Sequence, residues 1–126
     1  MNFPDDRKYA KTHEWIKSIG GSLYEIGISD YAQKELGDIV YVNLPQPGDD
    51  IKTGVSFADV ESVKAVSEII SPVNGTVKET NDTLASAPDS INKAPYETWF
   101  IRAEGTVPGE SLLTAEAYKQ TINSKE

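Results

Sequence analysis

Turn-forming residues recur at short intervals along most of this chain, and the segments between them favour strands. Gly20-Gly21 stands before Leu23–Ile28, a run that alternates around Tyr24, Ile26 and Ile28, so the pair reads as a hairpin turn. From Ile39 to Leu44 the chain is again β-rich, with Val40, Val42 and Leu44 on one face and Ile39 and Tyr41 on the other. Apolar residues on both faces predict a strand buried on both sides. Pro45 and the Pro47-Gly48-Asp49-Asp50 cluster end it. Val77 and Trp99 to Ile101 mark further strands.

Two helices interrupt this pattern. Ser29 to Gly37 opens with Asp30 and Gln33 at capping-box spacing, with Ser29 also assigned to capping, and stops at Gly37. Thr114 caps a C-terminal helix that holds Ala115, Glu116, Ala117, Tyr118 and Ile122. The polar stretch from Asn81 to Pro95 is long for a loop in a compact domain and is expected to hold short helical turns or part of a binding surface. Together these features predict a mainly β fold, an antiparallel β-sandwich or barrel with small peripheral helices, formed by residues 1–126 as a single domain without a linker. Gly-rich phosphate loops, a Gly-x-Ser-x-Gly elbow and internal repeats are all absent from the sequence.

Hydrophobic residues make up 38% of the 126 and charged residues 25%, which describes a folded, soluble chain. No apolar run approaches the roughly 20 residues of a membrane helix. The net charge of −8 opposes binding to nucleic acid and to anionic lipid, and suits encounter with basic patches on proteins. With no cysteine there is no disulfide, thiolate metal site or Cys nucleophile, and one histidine, His13, cannot build a multi-His zinc site. The chain is poorly equipped as an enzyme, and any thiol chemistry must come from a group attached to it. In His13-Glu14-Trp15, Trp15 reads as a core residue and His13 as a strand-edge residue. A hydrolase built on carboxylates such as Asp38 and Asp59 would need paired acids in one cleft, and their spacing shows no such pair.

Phe57 to Ile70 is rich in β-branched residues and free of Gly, Pro and Asn for 14 residues. As one strand it exceeds the usual length of about 3–10 residues. The alternative is a tight hairpin with its tip near Val63-Lys64, in spite of poor turn chemistry, which would project Lys64 into solvent on a rigid support. Periodicity alone leaves both open.

The segment Glu61-Ser62-Val63-Lys64-Ala65-Val66-Ser67-Glu68-Ile69, followed by Ser71-Pro72-Val73-Asn74-Gly75-Thr76-Val77, resembles the lipoylation segment of the glycine cleavage H proteins. So do Tyr9–Trp15, Gly27–Gln33, Leu36–Val42 running into Leu44-Pro45, Ile91-Asn92 with Pro95-Tyr96, and Ala115–Tyr118, which makes the resemblance nearly end to end. It departs at Tyr96-Glu97-Thr98-Trp99, where the family usually has a Gly immediately before its Trp.

The resemblance implies the biotinyl/lipoyl-carrier (barrel-sandwich hybrid) fold and a non-catalytic carrier with (R)-lipoate in amide linkage to Lys64. It implies that Glu61, Ser62, Val63, Ala65 and Glu68 form the surface read by the lipoylating enzyme; Glu61 and Glu68 read equally well as solvated strand charges. The implied partners are glycine decarboxylase, the aminomethyltransferase, dihydrolipoamide dehydrogenase, and a lipoate ligase or octanoyl/lipoyl transferase. The opening Met1–Asp6 has neither a secretory leader nor an Arg-rich presequence, so the expected site is the bacterial cytoplasm, or the mitochondrial matrix if a presequence has been removed. Two further roles fit the residues: a lipoyl relay to acyltransferase subunits, and an unmodified β adaptor.

Overall fold

The structure, a computed structural model, describes residues 1–108 and 112–125. Among them the chain runs β1 (Lys8–Ala10), β2 (Glu14–Gly20), β3 (Leu23–Ile28), α1 (Asp30–Leu36), β4 (Ile39–Asn43), β5 (Asp50–Ile51), β6 (Ser56–Ser62), β7 (Val66–Ile70), β8 (Asn74–Thr80), α2 (Thr83–Ser86), α3 (Ser90–Lys93), β9 (Ile101–Thr106), β10 (Leu112–Leu113) and α4 (Ala115–Lys125). Seven strands form one sheet in the order β10-β1-β2-β3-β9-β8-β5, and β4-β6-β7 form a second. Every described pairing is antiparallel. The mainly β architecture with small helices at its margins is the one expected from the turn spacing.

The main core lies between the sheets. It takes Ile26 and Ile28 from β3, Val42 from β4, Val60 from β6, Val77 from β8, and Leu84 and Ile91 from the short helices α2 and α3. These two helices resolve the polar Asn81–Pro95 stretch: each buries one apolar side chain, which anchors an otherwise hydrophilic segment to the core. A second cluster forms on the other face of β1 and β2, where Tyr9 and Trp15 meet Tyr118 and Ile122 of α4. Strand alternation explains the split, since Trp15 and Ile16 point to opposite faces. Trp15 is completely buried, and its ring crosses over Gly27, its cross-strand partner. A β-carbon there would stand 2.6 Å from ring atoms of Trp15, so the glycine is required by close approach.

Several local expectations need correction. Strand β4 is not buried on both sides. Its register slips between Ile39 and Tyr41 against β6, so that Ile39 and Val42 point inward while Val40 and Tyr41 are each 53% exposed. A bulge of this kind inserts a residue and breaks strict alternation. Trp99 precedes β9, which begins at Ile101; the Trp99 ring lies instead under the Arg102 guanidinium, 4.2 Å from its centroid. His13 sits in the turn between β1 and β2 with φ 81°, off the strand edge, and its Nδ1 lies 2.8 Å from the Tyr118 hydroxyl. At α1 the cap is Ser29, whose Oγ accepts from Ala32 N at 3.2 Å. Asp30 and Gln33 form a side-chain bond within the helix (2.7 Å) rather than a capping box.

Candidate functional site

The Phe57–Ile70 run is a hairpin. Strands β6 and β7 pair with Glu61 opposite Val66 and Asp59 opposite Glu68, which leaves Val63 and Lys64 at the tip. Both are exposed, Val63 at 69%. Among the described residues the positive backbone φ values lie at His13 and at glycines. The tip therefore lacks the left-handed residues of the usual two-residue hairpin turns.

Ser62 holds the turn by side-chain hydrogen bonds instead. Its Oγ accepts from Lys64 N at 3.3 Å and from Ala65 N at 3.1 Å, while its own N–H donates to Ala65 O at 2.8 Å. The hydroxyl substitutes for the backbone acceptor of a tight turn. That is the signal the sequence carried for this turn, in a hydroxyl residue two positions before the tip lysine. The tip is also tied sideways, because Val63 N donates to Asp38 O (3.0 Å) in the connection between α1 and β4. The Lys64 side chain runs back across that connection. Its Cε lies 3.5 Å from where a β-carbon on Gly37 would stand, an ordinary contact distance.

The expected recognition residues gather on this hairpin. Glu61 is exposed between Tyr41 and Val66 on the outer face of the three-stranded sheet. Glu68 lies further from the tip, opposite Asp59. Asp38 and Asp59 do not form a carboxylate pair: Asp38 engages the tip through its backbone, and Asp59 accepts from Asn43 Nδ2 at 3.3 Å. Among the described residues no group of three or more His, Cys, Asp or Glu side chains could hold a metal ion.

Beside the hairpin, β7 and α1 enclose an open cleft of about 240 Å³. Ile28, Ala32, Leu36 and Ile69 give it apolar walls; His13, Glu14, Tyr31, Glu35, Ser67 and Glu68 supply its polar groups. Glu14 is 2% exposed. Thr12 Oγ1 donates to its Oε1, and Ile70 N donates to Oε2 at 3.2 Å. Burial outweighs those bonds and pushes its pKa up from 4.5 to about 7. Sequence reasoning missed Glu14 as a cleft residue, because a glutamate at the head of a strand carries no mark of where its carboxyl points.

A family model for the glycine cleavage H-protein matches residues 7–125. The chain belongs to the glycine cleavage H-protein family. The glycine cleavage system H protein of Lachnoclostridium phytofermentans is 47% identical over 125 residues, covering 99% of this chain and 98% of that protein. The H protein of an Anaeromyxobacter species is 46% identical over 129 residues, with both chains covered completely. A crystal structure of the H protein from Mycobacterium marinum superposes with a TM-score of 0.87 at 36% identity, covering 95% of this chain and 98% of that one. The H-protein fold is thus shared, and the Tyr96–Trp99 departure does not disturb it. No described helix is long and apolar enough to cross a membrane.

Proposed function

We propose that residues 1–126 act as one lipoyl-carrier domain of the glycine cleavage system, with lipoate joined through an amide to Lys64. The observation that supports this most directly is the display of Lys64: an exposed amine at the tip of a hairpin whose turn is fixed by Ser62 and tethered to Asp38. As a member of its family the chain is a carrier component and not itself a catalyst.

The surroundings of Lys64 suit such a group. The side chain is exposed, passes Gly37 without a clash, and lies on a hairpin beside a cleft that combines apolar side chains with the Glu14 carboxyl. When bound, the group supplies a dithiolane on a long arm, the sulfur chemistry that a cysteine-free chain lacks. The Lys64 amide removes the ammonium charge. Ser62 and Asp38 hold the attachment point, so that tethering raises the effective concentration of the cargo at each partner's site. Leu36 and Ile69 offer a surface that shields apolar atoms from water, and the Glu14 carboxyl can pair with an amine or hold a proton near neutral pH.

In this role the chain takes an aminomethyl group from glycine decarboxylase to the aminomethyltransferase and is then reoxidised by dihydrolipoamide dehydrogenase. A lipoate ligase or an octanoyl/lipoyl transferase loads it, reading Glu61, Ser62, Val63, Ala65 and Glu68. The family's bacterial relatives and the acidic surface favour a cytoplasmic setting without nucleic-acid or membrane partners. Peptide mapping after coexpression with a lipoylating enzyme tests the assignment. A single lipoyl adduct on Lys64, absent from Lys64→Arg, is expected; a major adduct on Lys52 or Lys78 overturns it. Glycine-dependent loading by the decarboxylase separates this role from a relay to acyltransferases.

A further inference from the structure

The connection between α1 and β4 supports the hairpin tip, and one side chain from a distant part of the chain grips it. Asn92, half-buried on α3, uses its whole amide there. Its Oδ1 accepts from Ile39 N at 2.9 Å, and its Nδ2 donates to Gly37 O at 2.9 Å and to Gln33 Oε1 at 3.0 Å. Asp38 lies between the two gripped residues, and its carbonyl accepts from Val63 N at 3.0 Å. An unbroken series of bonds therefore leads from α3 through the connection to the residue before Lys64.

The connection needs this support. Helix α1 has seven residues, none fully buried, and so short a helix does not hold itself in water. It ends at Gly37 with φ 78°, a residue with no side chain to fix the exit. Helix α3 is shorter still at four residues, but tertiary contacts anchor it: Ile91 is fully buried in the core, and Thr98 Oγ1 donates to Ser90 O at 3.1 Å.

We infer that Asn92 is a positioning residue for the modification of Lys64, fixing the α1–β4 connection and through it the orientation of the hairpin tip. This rests on the lipoyl-carrier reading of Lys64. When Asn92 is truncated, the connection samples several arrangements, and a fraction of tips face the modifying enzyme wrongly. A lowered competent fraction raises the apparent KM for the carrier and leaves kcat unchanged once bound.

The test compares Asn92→Ala and Asn92→Asp with Ile91→Val, a core change on the same helix that lowers overall stability without touching the connection. Amide exchange at Ile39 and Val63 is followed by NMR in the unmodified full chain. Steady-state lipoylation is measured with a lipoate ligase, lipoate and ATP. In Asn92→Ala, exchange at both amides is expected to rise about tenfold beyond the Ile91→Val control, and KM to rise about fivefold at constant kcat. Asn92→Asp keeps the acceptor for Ile39 N and loses both donors, so Ile39 stays protected while Val63 and KM fall between the parent and the alanine variant. It also decides the matter if the alanine variant does not fold. Val63 exchange and KM matching those of Ile91→Val would overturn the inference. A parent chain that receives no adduct at Lys64 would instead overturn the carrier reading, and Asn92's role in modification with it.

Discussion

Replacing Glu14 with glutamine should stabilise the protein above neutral pH and change little in acid. The Glu14 carboxyl is held among Thr12, Ile70 and the cleft wall, and burial lifts its pKa from 4.5 to about 7. The folded-state pKa lies above the unfolded value, so the folded chain keeps its proton longer. The associated stability is complete below about pH 4.5 and is lost as pH rises through 7. A gap of that size corresponds to about 3 kcal/mol between the two plateaus. Glutamine never ionises; its carbonyl oxygen still accepts from Ile70 N, and its NH₂ can donate to the Thr12 hydroxyl. Urea unfolding of both proteins at pH 5 and pH 8 isolates the effect, since all other titrations cancel in the difference. Glu14→Gln is expected to gain about 2–3 kcal/mol at pH 8 and less than about 1 kcal/mol at pH 5. A difference that does not change with pH, or a variant weaker at pH 8, would refute the assignment of a strained anionic carboxyl. The same substitution should weaken retention of an aminomethyl cargo, trading function for stability.

Ser62→Ala removes the acceptor for two turn amides, which water partly replaces. Stability should fall by about 0.5–1 kcal/mol in denaturant titration, and the lipoylation rate should fall further than stability accounts for. Gly27→Ala drives a methyl into the Trp15 ring, so thermal unfolding should show a loss of about 1–3 kcal/mol with the tryptophan emission displaced. The charge of −8 should steer encounter with basic patches on the decarboxylase, so its loading rate falls as salt screens charges beyond about 8 Å while circular dichroism stays constant.

The sequence revealed most where local chemistry decides. A glycine turn does join β2 to β3, one residue later than expected, at Gly21-Ser22 with Gly20 paired to Leu23. Thr114 Oγ1 does cap α4 by accepting from Ala117 N, and the β-branched run around Lys64 folds back at the expected place. It revealed least where one element meets another. The bulge that turns Val40 and Tyr41 outward depends on pairing with β6, and alternation along β4 alone contains no trace of it. The same holds for the cleft: Glu14, Leu36 and Ile69 lie far apart in sequence and converge only once β7 packs beside α1. Asn92 stood within the family-like segment, yet its three bonds to residues 33–39 become visible only in three dimensions.

The Tyr118 hydroxyl, brought by α4, lies 2.7 Å from Ser29 Oγ, the cap of α1, and 2.8 Å from His13 Nδ1 at the cleft. Strand β10 likewise pairs with β1, laying the last strand in the chain against the first at one edge of the sheet. During synthesis these late residues leave the ribosome after the hairpin that bears Lys64. A nascent chain that has exposed its lysine therefore still lacks one buttress of the wall beside it. The wall beside Lys64 is thus completed by contacts that span most of the sequence, and long-range closure of this kind is the slow part of folding a sheet.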